Sequence, residues 1–580
     1  MGRWLGALAI TVAACALVHD HTRLDSASFD EPTHIHAGYL QVFHGNALSN
    51  MEHPPLAKEA AGLGLLSLRP ADAPFPPDMN FPASAHRFLF ENTASPDAIL
   101  AAARAPMLLF FAALCLLVFA VARRWFGTPA GFAALLLVAF EPLLLAHAGI
   151  VHTDVPVSLF WLASVVAWGR VLNRRSPGRV AAAGVLLGLA LATKFSALYL
   201  LPTFALVAIA VRALESRGAP RRLFRASEAV VRDAGAGIAA AAVALATAFL
   251  VYLPVVRGFS PAEQQAVIRR MIGVYERAPQ LAERVAAISP WSRALAQLAG
   301  GIALVARQSA IGGGITFLNG RLSTEGFPFY FFEAFAVKTG LPLLAAAAIA
   351  LGLLVLRRAD RRDAILWVPV AYYFLFSIGS SYNIGVRHIL PVYPLLAIAS
   401  GRMLHDLASR GAKRSVVAAA LGLLAAAQAA TALSSHPFEL SYFNVFGGGT
   451  ARGYRLLADS NVDWGLDLRR LAAELDRRGA RDATICYLGG DDVFRRTGVP
   501  DFAADPRPPG SFVAISTTMW DIGPAFYAVN GRMDLARRLA ALIRILETQG
   551  TLAGQIGGST LLFRLPRGGA ADSAILNQTR

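Results

Sequence analysis

Apolar runs of the length that spans a bilayer recur along the first three quarters of this chain. A membrane-spanning helix needs about 20 consecutive, mostly apolar residues. Of the 580 residues, 55% are hydrophobic and only 16% are charged, whereas a soluble protein of this length carries far more charge. The sequence therefore predicts a polytopic α-helical membrane protein.

Hydropathy in windows of about 19 residues predicts about eleven spans. They lie near 3–19, 99–121, 129–147, 155–172, 180–193, 196–213, 234–254, 331–356, 364–379, 389–405 and 415–433. Basic clusters between the spans fall on one side, which the positive-inside rule assigns to the cytoplasm together with the N-terminus. Lys194 interrupts one long apolar stretch, and we predict a turn there because a merged span would put the later Arg clusters outside.

The net charge of +16 follows from these clusters and does not form a stripe that would bind nucleic acid. The three cysteines are far apart in sequence, which argues against a disulfide framework or a cysteine metal site. The first 20 residues have a basic start and an apolar core, and we interpret them as an uncleaved anchor.

The predicted domains are a transmembrane catalytic domain over residues 1–433 and an extracytoplasmic α/β domain over 434–580. Two further outward segments lie within the first domain, at about 20–98 and about 257–330. In the tail, DLRRLAAELDRRG and MDLARRLAALIRILETQG have helical periodicity, while ATICYLGG, SFVAIST and STLLFRL resemble short buried strands.

The segment directly after the first span carries two adjacent acids, in FDEPTHIH. Asp30 can be a simple helix N-cap, with Pro32 in the first turn. His34 follows Asp30 by four residues, so a helix would place both on one face. Ionisable groups at membrane depth are costly and usually functional, and a carboxylate here could serve as a general base.

A second element, HPPLAK, contains His53 and Lys58. Its prolines predict a helix start, with Lys58 one turn inside. Lys58 is either a lysine that extends from an interfacial helix to the surface or an ammonium that neutralises a phosphate.

Three further elements carry charge at the ends of predicted spans. HAGIVHTDVP contains His147, His152 and Asp154, which could cap a span or contribute to a weak metal site. Lys194 is an intramembrane lysine with no acid nearby in sequence. Arg387 and His388, in the last short outer loop, could clamp a phosphate, although Arg387 can also be an interfacial anchor.

Several of these motifs resemble those of the GT-C superfamily of integral-membrane glycosyltransferases. They are FDE with HPPLAK, HTD, ATKFSAL, YFFEAFAVKTGLP, YNIGVRHILPVYP and LADSNVDWGLDL. More narrowly, they resemble the protein O-mannosyltransferase and aminoarabinose-transferase branch. The resemblance covers about residues 1–470 and rests on the order of the motifs and their side of the membrane.

The resemblance implies a polyprenyl-phosphate sugar donor and inversion at the anomeric carbon. Asp30 would be the base that activates the acceptor, with Glu31 beside it and Asp154 as a second acid. The leaving phosphate would be stabilised by Lys58, Lys194 and Arg387, with His388 beside them. His34, His53 and His152 would line the site. No metal is required by this mechanism, although His53, His147 or His152 could hold a divalent ion.

The partners implied are the lipid-linked donor, the bilayer, and an acceptor that is a protein, a lipid or a glycan. The Ala- and Arg-rich composition suggests a bacterial inner membrane with a periplasmic tail and an undecaprenyl carrier. A secondary transporter, coupled through Lys194 and Asp154, is the alternative from another class. A membrane scaffold would leave the clustered acids unexplained. Asp459, Asp463 and Trp464 could belong to a site or to an Asx turn and a buried core.

Overall fold

A computed structural model describes residues 1–76, 78–216, 220–273, 279–312 and 314–566 of the chain. It is mainly helical. In chain order the helices are α1 (Gly2–Leu24), α2 (Glu31–His44), α3 (Pro55–Gly64), α4 (Phe81–Phe90), α5 (Pro96–Phe126), α6 (Thr128–Ala139), α7 (Pro142–Ala148), α8 (Asp154–Asn173), α9 (Pro177–Leu191), α10 (Leu200–Glu215), α11 (Pro220–Val255), α12 (Pro261–Gly273), α13 (Pro279–Ala286), α14 (Arg293–Ile311), α15 (Tyr330–Lys338), α16 (Leu341–Leu356), α17 (Arg361–Ser377), α18 (Val392–Ser409), α19 (Arg414–Ser435), α20 (Thr450–Gly453), α21 (Leu468–Arg478), α22 (Val493–Thr497), α23 (Thr517–Asp521), α24 (Gly523–Val529) and α25 (Met533–Gln549).

The strands are short and few. They are β1 (Thr316–Leu318), β2 (Arg321–Ser323), β3 (Thr484–Cys486), β4 (Phe512–Ser516), β5 (Thr551–Ile556) and β6 (Thr560–Arg564). The first two form an antiparallel hairpin, and the other four form a sheet in the order β3-β4-β6-β5. Within that sheet β3 runs parallel to β4, and the other neighbours are antiparallel.

The polytopic helical fold is confirmed. Within the part of the chain that the structure describes, six helices are long and apolar enough to cross a membrane, or up to eight if each of two bent pairs is one span. The shorter apolar helix α9 adds a further candidate. Each of the predicted spans overlaps a helix, but α17 and α18 are not among the candidates. The count of about eleven therefore stays a prediction.

Two of the predicted spans are each formed by a pair of helices that meet at a bend. The axes of α6 and α7 meet at 61°, and those of α15 and α16 meet at 117°. Each second helix has a proline in its first turn, and proline removes an N–H and breaks the helical ladder. The two breaks meet, because the Gly340 amide donates to Glu141 Oε1 at 2.8 Å. This contact satisfies a backbone group that the bend set free.

The turn predicted at Lys194 is confirmed. Helix α9 ends at Leu191, and a 3-10 turn over Phe195–Tyr199 leads into α10. The Leu56 amide at the start of α3 donates to the Ala192 carbonyl at 3.0 Å. The turn therefore packs against the segment that carries His53.

Basic junctions between the helices gather at one end of the bundle. Arg361 donates to Asn173 Oδ1 at 2.7 Å, and Arg362 donates to the Trp125 carbonyl at 2.6 Å. Arg175 pairs with Asp233 at 2.7 Å. These contacts put the junctions after α5, α8 and α16 together, as expected if the basic clusters lie on one side of the membrane.

Helices α2 and α3 pack backbone against backbone in the first outer segment. A Cβ atom at Gly38 would lie 2.2 Å from the Lys58 carbonyl oxygen, and one at Gly62 would lie 2.2 Å from the Gly38 carbonyl oxygen. Glycine is therefore needed at both positions. This close approach fixes the two helices that carry the FDE and HPPLAK elements.

The second outer segment contains α12, α13, α14 and the β1–β2 hairpin. Residues 274–278 and 313 of this segment lie outside the described residues.

The tail has the predicted α/β composition. The two periodic segments form α21 and α25, and the three predicted strands form β3, β4 and β6. The sequence did not predict β5, a partly exposed edge strand that contains a glycine. Residues 567–580 of the predicted domain lie outside the described residues.

The tail closes over the first outer segment through the backbone. The Ser26 and Phe29 amides donate to the Leu466 and Trp464 carbonyls, each at 2.9 Å. These two bonds place Asp30 beside the LADSNVDWG motif.

Candidate active site

A cavity of about 580 Å³ lies between the membrane helices, the outer loops and the tail. Its apolar wall comes from α14, α15 and α17, from the turn before α10, and from α23 and α24 of the tail. Its charged and histidine residues come from six separate segments. The polar residues are Asp30, Glu52, His53, His152, Lys194, Arg387, His388 and Asp459.

Asp30 is the N-cap residue of α2, but its side chain makes no capping hydrogen bond. The carboxylate is 33% exposed and faces the cavity. Its Oδ2 lies 3.9 Å from His152 Nε2 and 3.9 Å from Arg387 Nη2. The backbone thus takes the cap position while the carboxylate stays available for chemistry.

Glu31 points away from the cavity and is fully buried. Arg104 donates to it from Nε at 2.8 Å and from Nη2 at 2.7 Å. The amides of Ser28 and Val151 donate to the same carboxylate at 2.9 and 3.0 Å. Glu31 therefore ties the FDE segment to α5 and to the loop before α8, and it does not line the cavity. Arg104 was missed, although a charge inside an apolar span was the signal.

Asp154 is the centre of a buried ion network. Its Oδ1 lies 2.5 Å from Lys194 Nζ, and its Oδ2 lies 2.7 Å from His152 Nδ1 and 3.4 Å from Arg387 Nη1. It is also the first residue of α8, after the N-cap Thr153. The predicted partners Asp154, Lys194 and Arg387 are brought together here, and Asp154 supplies the acid that Lys194 lacked in sequence.

Arg387 is held on several sides. Its Nε donates to Ser460 Oγ at 3.0 Å, its Nη1 lies 3.1 Å from His152 Nε2, and its guanidinium lies 4.3 Å from the Trp464 ring centre. Ser460 and Trp464 belong to the tail. The tail therefore fixes the orientation of an arginine from the membrane part, as planar stacking and forked donation allow.

Three histidines converge beside Asp30. The ring centres of His34 and His53 are 4.7 Å apart, those of His34 and His152 are 4.8 Å apart, and those of His53 and His152 are 5.3 Å apart. Burial holds the pKa of His34 and His53 well below the usual range, so both imidazoles are neutral. His147 lies apart from this group, 5.6 Å from the Trp464 ring centre. His388 lines the cavity on another side.

Lys58 is buried and does not line the cavity. Its ammonium donates to the carbonyls of Asn50 and His53, each at 2.7 Å. Burial lowers the pKa of Lys58 to about 7. The resemblance placed Lys58 at the donor phosphate, whereas in the structure Lys58 lies behind the turn that carries Glu52 and His53.

Two further acids line the cavity: Glu52, which the sequence did not assign to the site, and Asp459, for which it left a site and an Asx turn open. Glu52 accepts from Asn50 Nδ2 at 3.1 Å, and burial raises its pKa. Asp459 has a positive φ of 59°, and burial raises its pKa to about 6. The positive φ of Asp459, and the cavity that it shares with Glu52, could not be predicted from single motifs.

The chain was compared with known proteins. Residues 97–220 match the family described as dolichyl-phosphate-mannose-protein mannosyltransferase. The matched segment contains Arg104, Asp154 and Lys194 but neither Asp30 nor Arg387. Over that part of the chain, the match confirms the resemblance to the mannosyltransferase branch. Curated proteins gave no match.

Solved structures show distant similarity. The oligosaccharyltransferase of Archaeoglobus fulgidus, in complex with Zn and sulfate, is 12% identical with a TM-score of 0.44, covering 91% of this chain and 70% of its own. ArnT from Cupriavidus metallidurans in the apo state is 16% identical with a TM-score of 0.27, covering 96% and 98%. The same protein bound to undecaprenyl phosphate is 14% identical with a TM-score of 0.28, covering 97% of each chain. At these values no residue role is transferred to this chain.

Proposed function

We propose that this protein is a glycosyltransferase that moves a sugar from a polyprenyl-phosphate donor to an extracytoplasmic acceptor. The observation that carries the proposal is the position of Asp30. Its carboxylate is free of capping, faces a cavity of about 580 Å³, and shares that cavity with the cations Lys194 and Arg387. A base and two cations in one cavity match a reaction that deprotonates an acceptor and releases a phosphate.

Asp30 acts as the general base. It takes the proton from an acceptor hydroxyl or amine as that atom bonds to the anomeric carbon. The bond from this carbon to the phosphate oxygen breaks on the opposite face, so the configuration inverts. The donor already carries an activated leaving group, so positioning and charge neutralisation supply the remaining catalysis.

Arg387 and Lys194 stabilise the negative charge that develops on the leaving phosphate. Arg387 is suited to this because its planar guanidinium can donate two parallel hydrogen bonds to phosphate oxygens. Asp154 holds both cations in place through the contacts at 2.5 and 3.4 Å. His388, the next residue in the chain, also lines the cavity and can contribute to the binding of this phosphate.

The apolar wall suits the lipid part of the donor. Its side chains include Leu198, Ile302, Val305, Phe331 and Phe376. An isoprenoid chain has no polar atoms, so such a wall binds it by burial of apolar surface. The carrier in the proposed bacterial inner membrane is undecaprenyl phosphate, the tail is periplasmic, and the acceptor is a protein, lipid or glycan.

Glu31 and Lys58 support the site from outside the cavity. Glu31, the residue after Asp30, is anchored by its ion pair with Arg104. Lys58 holds the turn that precedes α3 through hydrogen bonds to two carbonyls. They are positioning residues in this proposal, because neither lines the cavity.

The test uses purified protein in lipid with a panel of radiolabelled polyprenyl-phosphate sugars. Wild type is expected to consume one donor, while Asp30→Asn binds that donor and turns over about 10²- to 10⁴-fold more slowly. Glu325→Gln, which changes an exposed acid beyond β2, is the control and keeps wild-type turnover.

Two results would contradict the proposed activity, and a third would contradict only the role of Asp30. Wild type that neither binds nor consumes any donor would remove the glycosyltransferase function. Accumulation of an intact solute inside vesicles, without donor consumption, would support transport. Normal turnover by Asp30→Asn would reject Asp30 as the base while leaving the activity in place.

A further inference from the structure

His34, His53 and His152 form a compact group of ring nitrogens. They come from α2, from the segment before α3 and from the loop before α8, respectively. One nitrogen from each ring lies within 4.8 Å of the others. Three segments that are far apart in sequence thus deliver three imidazoles to one point beside the cavity.

Several of these nitrogens have no protein partner. Within the described residues, both ring nitrogens of His34 and Nδ1 of His53 are buried without a hydrogen bond. Buried polar atoms in native proteins almost always have a partner, which can be an ordered water or an ion. In the neighbouring buried His36, Nδ1 also lacks a partner, whereas Nε2 contacts the Ala73 carbonyl at 3.4 Å.

We propose that His34, His53 and His152 bind a divalent transition-metal ion, with Zn²⁺ as the best fit, and that its fourth coordination position opens to the cavity. Three neutral imidazoles suit zinc, copper, nickel or iron, whereas magnesium and calcium prefer oxygen ligands. Three protein ligands with one open position is the arrangement of reactive zinc sites. His53 and His152 both line the cavity, so the open position faces it.

The ring nitrogens of the three histidines have to move slightly closer together to bind one ion. Zn–N bonds of about 2.0–2.1 Å in a tetrahedron put ligand nitrogens about 3.4 Å apart. The nitrogens therefore draw together by at most about 1.4 Å from their 4.8 Å limit. Side-chain rotation supplies this, because the rings meet at angles between 52° and 72° and do not stack.

Nearby charges decide whether a cation is tolerated. Asp154 Oδ2 lies 2.7 Å from His152 Nδ1, so a carboxylate borders this imidazole and offsets part of the charge of a bound cation. Asp30 Oδ2 lies 3.9 Å from His152 Nε2. If His152 binds the ion through Nε2, the ion replaces the 3.1 Å contact between this nitrogen and Arg387. Arg387 then still has Ser460 and Asp154 as partners.

This site goes beyond the proposed function, because base catalysis by Asp30 does not depend on it. An ion with an open position at this wall would bind a water or a phosphate oxygen. The site can therefore be tested by binding alone, without knowledge of the sugar or the acceptor.

The test uses the full chain in lipid nanodiscs, purified with a tag that contains no histidine and stripped with a chelator. Equilibrium dialysis against Zn²⁺ alone is expected to give about one ion per chain, and Co²⁺ is expected to give the visible absorption of a four-coordinate nitrogen site. Metal content far below one ion per chain, or a Co²⁺ spectrum typical of six oxygen ligands, would overturn the proposal.

His34→Gln and His53→Gln identify the ligands. Each is expected to weaken Zn²⁺ binding by at least about 10- to 100-fold, the loss seen for weaker outer contacts of metal sites. His36→Gln is the matched control, since it removes a buried histidine two positions along α2 and should keep wild-type binding. Wild-type binding by both ligand variants would refute the site, and if either variant does not fold, the wild-type Co²⁺ spectrum decides.

Discussion

Asp154 Oδ1 lies 2.5 Å from Lys194 Nζ, although the two residues are 40 positions apart. The contact joins the first residue of α8 to the turn between α9 and α10. Because Arg387 and His152 also contact Asp154, this carboxylate determines where both proposed phosphate-binding cations point. The stability and the chemistry of the site are therefore coupled at Asp154.

Asp154→Asn is expected to destabilise the protein by about 3–5 kcal/mol, because it leaves a buried cation without its counter-charge. Lys194→Met should cost less, since Asp154 keeps His152 and Arg387. The double variant should recover about 0.5–3 kcal/mol of the summed loss. Unfolding by denaturant in lipid micelles measures each value. Strictly additive losses of stability in the double variant would show that Asp154 and Lys194 do not interact. The control is Arg269→Met, which breaks the exposed pair with Glu283.

Arg387→Lys is expected to weaken binding of sugar-free polyprenyl phosphate by about 10-fold, or about 1.4 kcal/mol. A lysine cannot donate in a fork or stack on Trp464 in the same way. Binding of a fluorescent polyprenyl phosphate measures the effect. Arg532→Lys, at an exposed position, should bind normally. Equal affinity of Arg387→Lys and wild type would argue against a phosphate contact by Arg387.

Lys58→Met distinguishes a positioning role from a phosphate-binding role. Removing the ammonium leaves the Asn50 and His53 carbonyls without their donor, at a cost of about 1–3 kcal/mol for each buried group. We expect lower stability and lower kcat, with unchanged affinity for polyprenyl phosphate. A variant that folds with wild-type stability but loses phosphate affinity would instead show that Lys58 reaches the donor.

Asp463 makes stability depend on pH. Burial raises its pKa to about 7 from the usual value of 3.8, so the folded state holds its proton more tightly than the unfolded state. The free energy of unfolding should therefore fall as pH rises between these values, by up to about 1.4 kcal/mol per pH unit. Below this window both states are protonated and the contribution is fully present.

Asp463→Asn tests that dependence, because an amide does not titrate. Burial also raises the pKa of Asp459 to about 6, which acts in the same direction. The difference in Tm between wild type and Asp463→Asn therefore isolates the residue, and it should change between about pH 4 and pH 7. Asp534→Asn, on the exposed face of α25, should follow wild type. Parallel curves for wild type and Asp463→Asn would contradict the prediction.

Much of the site was accessible from local patterns. A carboxylate after the first span, an acid at the start of a span and a charge within an apolar run each stand out, because ionisable groups near a membrane are costly. Asp30, Asp154, Lys194 and Arg387 were found in this way. The same patterns did not show that Lys58 differs from these residues. Lys58 donates to backbone carbonyls, and because every residue has one, no residue type in the sequence reveals such a partner.

The sequence by itself determined which segments are apolar helices, where Lys194 interrupts them, and that the tail is an α/β structure. These properties follow from hydrophobic periodicity and turn residues, which act over a few positions along the chain. Only the tertiary structure decided that Trp464 stacks on Arg387, that three histidines meet, and that Glu31 and Lys58 face away from the cavity. Such contacts depend on how helices pack and bend over long sequence separations, and no local pattern records that packing.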